Sequence, residues 1–156
     1  MSFLGENAPA GIKEQASEIP TCFTRLRPSK LHVGGVGVFA ILPIKRGTLV
    51  FSTKSDVGLG RATAEQIKKM PRAVRKMYTD FAMQTVLGYE PPVDFTHMGM
   101  LWYICHSNKP NCRYSDDGYI AARNIRPGEE LSVDYRLWDK NFSTHVGNVT
   151  RKKNLV

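Results

Sequence analysis

The chain has 156 residues, 42% of them apolar and 23% charged, and its 22 lysines and arginines against 14 acidic residues give a formal charge of +8. That length fits one domain with its own core, and the composition excludes a disordered polar chain. No window reaches the roughly 18 apolar residues of a membrane-spanning helix. The three cysteines, Cys22, Cys105 and Cys112, contain no C-x-x-C pair, which argues against a disulfide framework or structural zinc and for a reducing compartment. The positive balance favours an acidic partner or ligand without choosing one.

Residues 1–21 are small and polar, with no sustained period and no basic start leading into an apolar run. They read as an N-terminal arm, and no signal peptide is expected. Phe23–Arg27 alternates like a strand that resumes at Lys30–Val33. Gly34-Gly35-Val36-Gly37 then punctuates the backbone before the apolar run Val38–Leu42, which reads as a buried strand. Thr48–Phe51 is a further strand by its β-branched and aromatic content.

Near Asp56 the composition changes. Thr63-Ala64-Glu65-Gln66 has the form of a capping box and opens a short helix ending near Met70-Pro71. Val74, Met77, Tyr78, Phe81 and Thr85 then fall on one stripe of a 3.6-residue period. This predicts a second helix over 72–87, with Gly88 as its C-terminal cap and Pro91-Pro92 beyond. The basic cluster Lys68, Lys69, Arg72, Arg75 and Lys76 reads as a solvated helix face. Asp116-Asp117-Gly118 between two strand-like runs predicts a hairpin. In the last strand Leu131, Val133 and Tyr135 share one face, and Glu130, Ser132 and Asp134 the other. Beyond Trp138 the sequence is polar and ends basic. The sum is an α+β chain, mainly β, with a two-helix insert.

Three ordered motifs carry a resemblance. Gly35-Val36-Gly37-Val38-Phe39-Ala40, continued by Lys45–Val50, resembles the opening of a SET domain, the catalytic domain of one class of protein lysine methyltransferases. Trp102-Tyr103-Ile104-Cys105-His106-Ser107-Asn108-Lys109-Pro110-Asn111 resembles the family's Arg-Phe-x-Asn-His-Ser-Cys-x-Pro-Asn. Gly128-Glu129-Glu130-Leu131-Ser132-Val133-Asp134-Tyr135 carries the closing Gly-Glu-Glu-Leu-x-x-Asp-Tyr intact. The resemblance implies a SET-domain fold of several small curved sheets, with a helical insert at about 56–95 and a C-terminal pseudoknot. It implies a domain over 22–138 and a basic tail over 139–156.

It also implies an activity: S-adenosylmethionine-dependent methyl transfer to the side-chain amine of lysine in a protein, a histone tail being one candidate substrate, with S-adenosylhomocysteine as product. Tyr135 is the implied catalytic residue. Gly35, Val36, Gly37, Tyr103, Cys105, His106 and Trp138 are the implied cofactor residues, Trp138 packing on the adenine. No metal site, no zinc and no membrane contact are expected. Direct nucleic-acid binding is not expected either, because no basic stripe is interleaved with aromatics. The implied location is intracellular, nuclear in a eukaryote and otherwise cytoplasmic. Two departures stand out. Cys105 replaces the family's asparagine, and a thiol is a weak donor and weak acceptor, worth about 1–3 kcal/mol less at such a position. The Tyr-x-Gly element that often follows the second strand is absent from Val50–Lys54. These departures leave a second reading open, a SET-like protein-interaction module with weak catalysis.

Overall fold

A computed structural model describes residues 22–53, 58–85 and 88–137. In chain order the elements are β1 (Thr24–Pro28), β2 (Val36–Ala40), β3 (Leu49–Ser52), α1 (Ala64–Lys69), α2 (Arg72–Phe81), β4 (Met83–Thr85), β5 (Gly88–Glu90), β6 (Cys105–His106), β7 (Cys112–Ser115), β8 (Gly118–Ala121) and β9 (Ser132–Val133). Short 3-10 turns lie at Met100–Tyr103 and Tyr135–Leu137. The described chain is mainly β with few helices. None of the described helices is long and apolar enough to cross a membrane.

The strand β2 lies at the centre. Four of its five residues, Gly37 to Ala40, are buried. On one edge it pairs antiparallel with β1, Thr24 opposite Ala40 and Pro28 opposite Val36. Its other edge is taken by the closing segment: Ala40 N–H donates to Glu129 O at 3.0 Å, Leu131 N–H to Val38 O at 2.8 Å, and Phe39 bridges to Glu130. Double pairing and apolar side chains explain the burial of β2. Exposed β1 instead forms the rim and ends on Pro28, whose missing N–H is tolerated at a strand's end. A second sheet, in the order β3-β8-β7, is built on the two-residue hairpin Asp116-Asp117, as the Asp-Asp-Gly signal predicts. Gly118 takes φ 136, and a Cβ there would lie 2.0 Å from Phe51 O, so only glycine fits. Val38, Ile104, Cys112, Ala121, Ile125, Leu131 and Val133 form one core between the sheets.

The capping box of α1 forms as predicted: Thr63 N–H donates to Gln66 Oε1 at 2.8 Å and Gln66 N–H to Thr63 Oγ1 at 3.2 Å. The second helix is shorter than its periodicity predicts. It stops at Phe81; Met83–Thr85 then turns extended and pairs with Gly88–Glu90. Gly88 is therefore a hairpin glycine (φ 125) pressed against Ala62, not a helix cap. The reason is tertiary: Ala62 and Tyr89 exchange backbone hydrogen bonds of 2.9 and 2.8 Å, holding this segment extended against the chain that enters α1. Lys30–Val33 is likewise no strand but part of the loop between β1 and β2. The final strand is not one-faced either. Glu130 and Ser132 are buried along with Leu131 and Val133, and pairing ends at Val133 before Tyr135 enters its 3-10 turn.

Candidate active site

The two motif segments meet through their backbones. The strand β6 pairs parallel with β9, Cys105 opposite Ser132 and His106 opposite Val133, and Ser107 N–H donates to Val133 O at 2.9 Å. Two residues per strand form a short ladder, and Asn111 extends it with a side chain. Asn111 is 2% exposed. Its Oδ1 accepts from Ser132 N–H at 2.8 Å, and its Nδ2 donates to Glu130 O at 2.8 Å and to Glu129 Oε1 at 3.2 Å. The amide thus stands in for a strand's N–H and C=O.

Tyr135 is fixed at both ends. Its N–H donates to His106 Nδ1 at 3.1 Å, and its hydroxyl donates to Ile104 O. The ring packs against the core. Because Nδ1 accepts, the neutral imidazole carries its proton on Nε2, which faces Asn108 Oδ1 at 3.3 Å. Burial, and behind it Cys105 and Tyr119, push the Tyr135 phenol well above its ordinary range. It stays protonated in neutral and mildly alkaline solution. Its one proton goes to Ile104, so any further bond its oxygen makes is as an acceptor.

The acidic groups of the closing motif are individually committed. Arg136 grips Asp134 through Nε and Nη2 at 2.8 and 2.7 Å and holds its carboxyl down to about 2. Arg123 does the same for Glu129, also lowered to about 2, with help from the Arg126 amide and Asn111. Glu130 is buried, and its oxygens accept from Ser29 Oγ at 2.6 Å, Lys30 N–H at 2.7 Å and Leu31 N–H at 3.2 Å. Cys105 Sγ lies 3.4 Å from Ser29 Oγ, 3.7 Å from Val36 O and 3.8 Å from Tyr103 O. Desolvation raises its pKa, so the thiol is neutral.

Gly35 and Gly37 of the first motif each have a protein neighbour where a Cβ would stand: His32 Cδ2 at 2.3 Å for Gly35 and Glu130 Oε1 at 2.1 Å for Gly37. Beside them an open groove of about 530 Å³ runs along Leu26, Arg27, Pro28, Ser29, Gly34, Gly35 and Val36. Tyr103 lies farther along, edge-on to Phe81 of α2 at 5.6 Å, so the insert packs on the motif. Val36 thus meets Cys105, Gly37 meets Glu130 and His106 meets Tyr135, while Gly35 is held within its own loop against His32. Trp138 lies outside the described residues.

A model of the SET domain matches residues 35–136. The chain belongs to the SET domain family. No curated protein matches it. SET domains are typically methyltransferases, generally use S-adenosylmethionine and bind protein substrates. In this SET domain the groove opens beside glycine backbone, and the Val36 carbonyl and Ser29 hydroxyl at its edge also face Cys105, acceptors that fit the amino-acid end of that cofactor. Among the described residues no group of three His, Cys, Asp or Glu side chains could hold a metal ion. Ser29, Glu130 and Asn111 are site residues that motif reading missed. Asn111 and Glu130 were inside the quoted motifs, where an isolated polar residue carries no sign of its distant partners. Ser29 gave no signal at all.

Proposed function

We propose that this SET domain methylates the side-chain amine of lysine in a protein substrate, a histone tail being one candidate, with S-adenosylmethionine as donor. The observation that carries the reading is Tyr135: a half-buried tyrosine whose phenol stays neutral, at the end of an intact closing motif, its proton given to Ile104 and its amide tied to His106. The bound cofactor supplies an electrophilic methyl on a sulfonium centre. The chain must supply a neutral, aligned amine. A free lysine has a pKa of about 10.4, so presenting it uncharged at pH 7 costs about 4–5 kcal/mol in water. A dry channel and a nearby positive charge lower that cost without a general base. Tyr135 is not that base, since its phenol is held protonated. Its oxygen accepts from the incoming amine and fixes the line of attack, and alignment of this kind is worth orders of magnitude in rate.

The proposal extends to the architecture. The domain spans 22–138 with its insert at about 56–95, and the closing segment threads beside the His-Ser segment as a pseudoknot. The parallel β6–β9 pair and the Asn111 clip support that threading. Gly35, Val36 and Gly37 would hold the amino-acid end of the cofactor, Cys105 would stand where the family's asparagine bonds to it, the backbone at His106 would read the adenine edge with Trp138 packing on the ring, and Tyr103 would complete the wall. The proposed site of action is intracellular, nuclear in a eukaryote and otherwise cytoplasmic, in keeping with the reducing compartment that the cysteine usage favours. Cys105 supports one alternative, a SET-like interaction module, because its thiol makes only long contacts of 3.4–3.8 Å where the family has an amide. Incubating the protein with labelled S-adenosylmethionine and a panel of peptides and lysate proteins separates the two. Intact masses rising by whole methyl increments on lysine support the enzyme. No transfer, together with no calorimetric binding of S-adenosylhomocysteine, supports the module.

A further inference from the structure

The strand β1 pairs with β2 along one edge, and among the described residues no strand lies along its other edge. Ile41 N–H donates to Phe23 O at 2.9 Å and Ser29 N–H to Gly35 O at 3.0 Å, so Arg25 and Arg27 between them turn their backbone groups toward β2. Thr24, Leu26 and Pro28 turn theirs outward. Thr24 and Leu26 each offer an N–H and a C=O, Pro28 a C=O, and among the described residues no backbone group takes them. Such a row is a template for one more strand. Side chains narrow the choice of strand. Arg25 and Arg27 are exposed, share one face and form no ion pair among the described residues. Lys30 adds to that face, its Nζ lying 5.9 Å from the ring of Phe39, which stands opposite Arg25. The other face is apolar, with Leu26 40% exposed and Val36, opposite Pro28, 44% exposed. A second copy of the chain fits poorly, because antiparallel pairing centred on Leu26 brings Arg25 and Arg27 face to face. A nucleic acid would meet the arginines but offers no alternating row of N–H and C=O.

We propose that the free edge of β1 receives an acidic, extended segment of a partner protein as an added strand, with carboxylates beside Arg25 and Arg27 and an apolar side chain beside Leu26. The same arginines that keep two copies apart then select the partner. Leu26 and Pro28 also line the groove, so the added strand runs along its rim. This docking does not require methyl transfer.

Fluorescence anisotropy of a labelled peptide of alternating glutamate and valine, titrated with the full chain, tests it. That peptide is expected to bind, and its counterpart with lysine in place of glutamate is not. N-methylation of one alternate set of peptide amides should abolish binding and of the other set leave it, the mark of a strand bonded along one side. Arg25→Ala and Arg27→Ala should each weaken the acidic peptide by up to about fivefold. Arg25→Glu combined with Arg27→Glu should invert the preference toward the lysine peptide. Leu26→Pro removes an outward N–H while sparing the bonds to β2, and it should abolish binding where Leu26→Ala only weakens it. The arginine variants carry the test if thermal unfolding shows that Leu26→Pro does not fold. No binding of the acidic peptide by wild type, equal loss on methylation of either set of amides, or equal binding of a single-stranded oligonucleotide overturns the docking edge. Displacement of the peptide by S-adenosylhomocysteine puts it in the groove and overturns the edge as well.

Discussion

Among single residues Asn111 carries the most structure. Its side chain satisfies the buried Ser132 N–H and Glu130 C=O, and its own C=O accepts from Ala122 N–H at 2.8 Å. Asn111→Ala leaves the first two groups without partners, and each costs about 1–3 kcal/mol, so the variant should lose roughly 2–5 kcal/mol. Urea unfolding reads this as a lowered midpoint at constant slope. A loss under about 1 kcal/mol would show that water or a shift of the closing segment replaces the amide. At this scale the sequence told part of the story. It singled out Cys105 because a motif made the exception visible. Its surroundings, Ser29 and Glu130, come from 76 positions before it and from the closing segment beyond it, and spacing carries no trace of such meetings.

Elements were legible where the signal was local. The capping box at Thr63, the Asp-Asp-Gly hairpin and the buried β2 strand all follow from neighbours within a few residues. The end of α2 was not, because the extended Met83–Thr85 owes its conformation to β5 and to the Ala62–Tyr89 pairing next to it. The turn before β9 is a further local device whose strength depends on pH. Arg126 O accepts from Glu129 N–H at 3.1 Å, and the Glu129 side chain closes back on Arg123 and the Arg126 amide. The Glu129 pKa falls from its ordinary 4.5 to about 2, mainly through Arg123. A lowered folded-state pKa means that this stabilisation is complete above about 4.5 and is lost as the pH falls toward about 2. Asp134, held at about 2 by Arg136, adds to the same window. Arg123→Ala should therefore move the acid-unfolding midpoint to higher pH, followed by circular dichroism. An unchanged midpoint would show that the Arg126 and Asn111 contacts hold Glu129 unaided.

For the whole molecule, the arrangement turns on one strand with two neighbours. The rim strand β1 covers one edge of β2 and the closing segment the other, while the closing segment also runs beside β6. The two motif segments and β2 thus share one backbone framework, and Tyr135 follows directly on it. The charge of +8 does not itself select a substrate. Basic residues of the insert partly pair with near neighbours, Lys68 with Glu65 at 3.0 Å and Lys76 with Asp80 at 2.6 Å, and exposed pairs of this kind contribute little. Glu129 and Asp134 are already held by arginines, so a basic tail would have to compete with Arg123 and Arg136 for them.

The central claim is that the Tyr135 hydroxyl aligns a lysine amine for methyl transfer. Tyr135→Phe isolates its oxygen. The variant should stay folded but unfold at a modestly lower temperature, because Ile104 O loses its donor, bind S-adenosylhomocysteine as wild type does, and transfer methyl groups on the order of a hundredfold more slowly. Full transfer by a folded Tyr135→Phe protein would contradict the account.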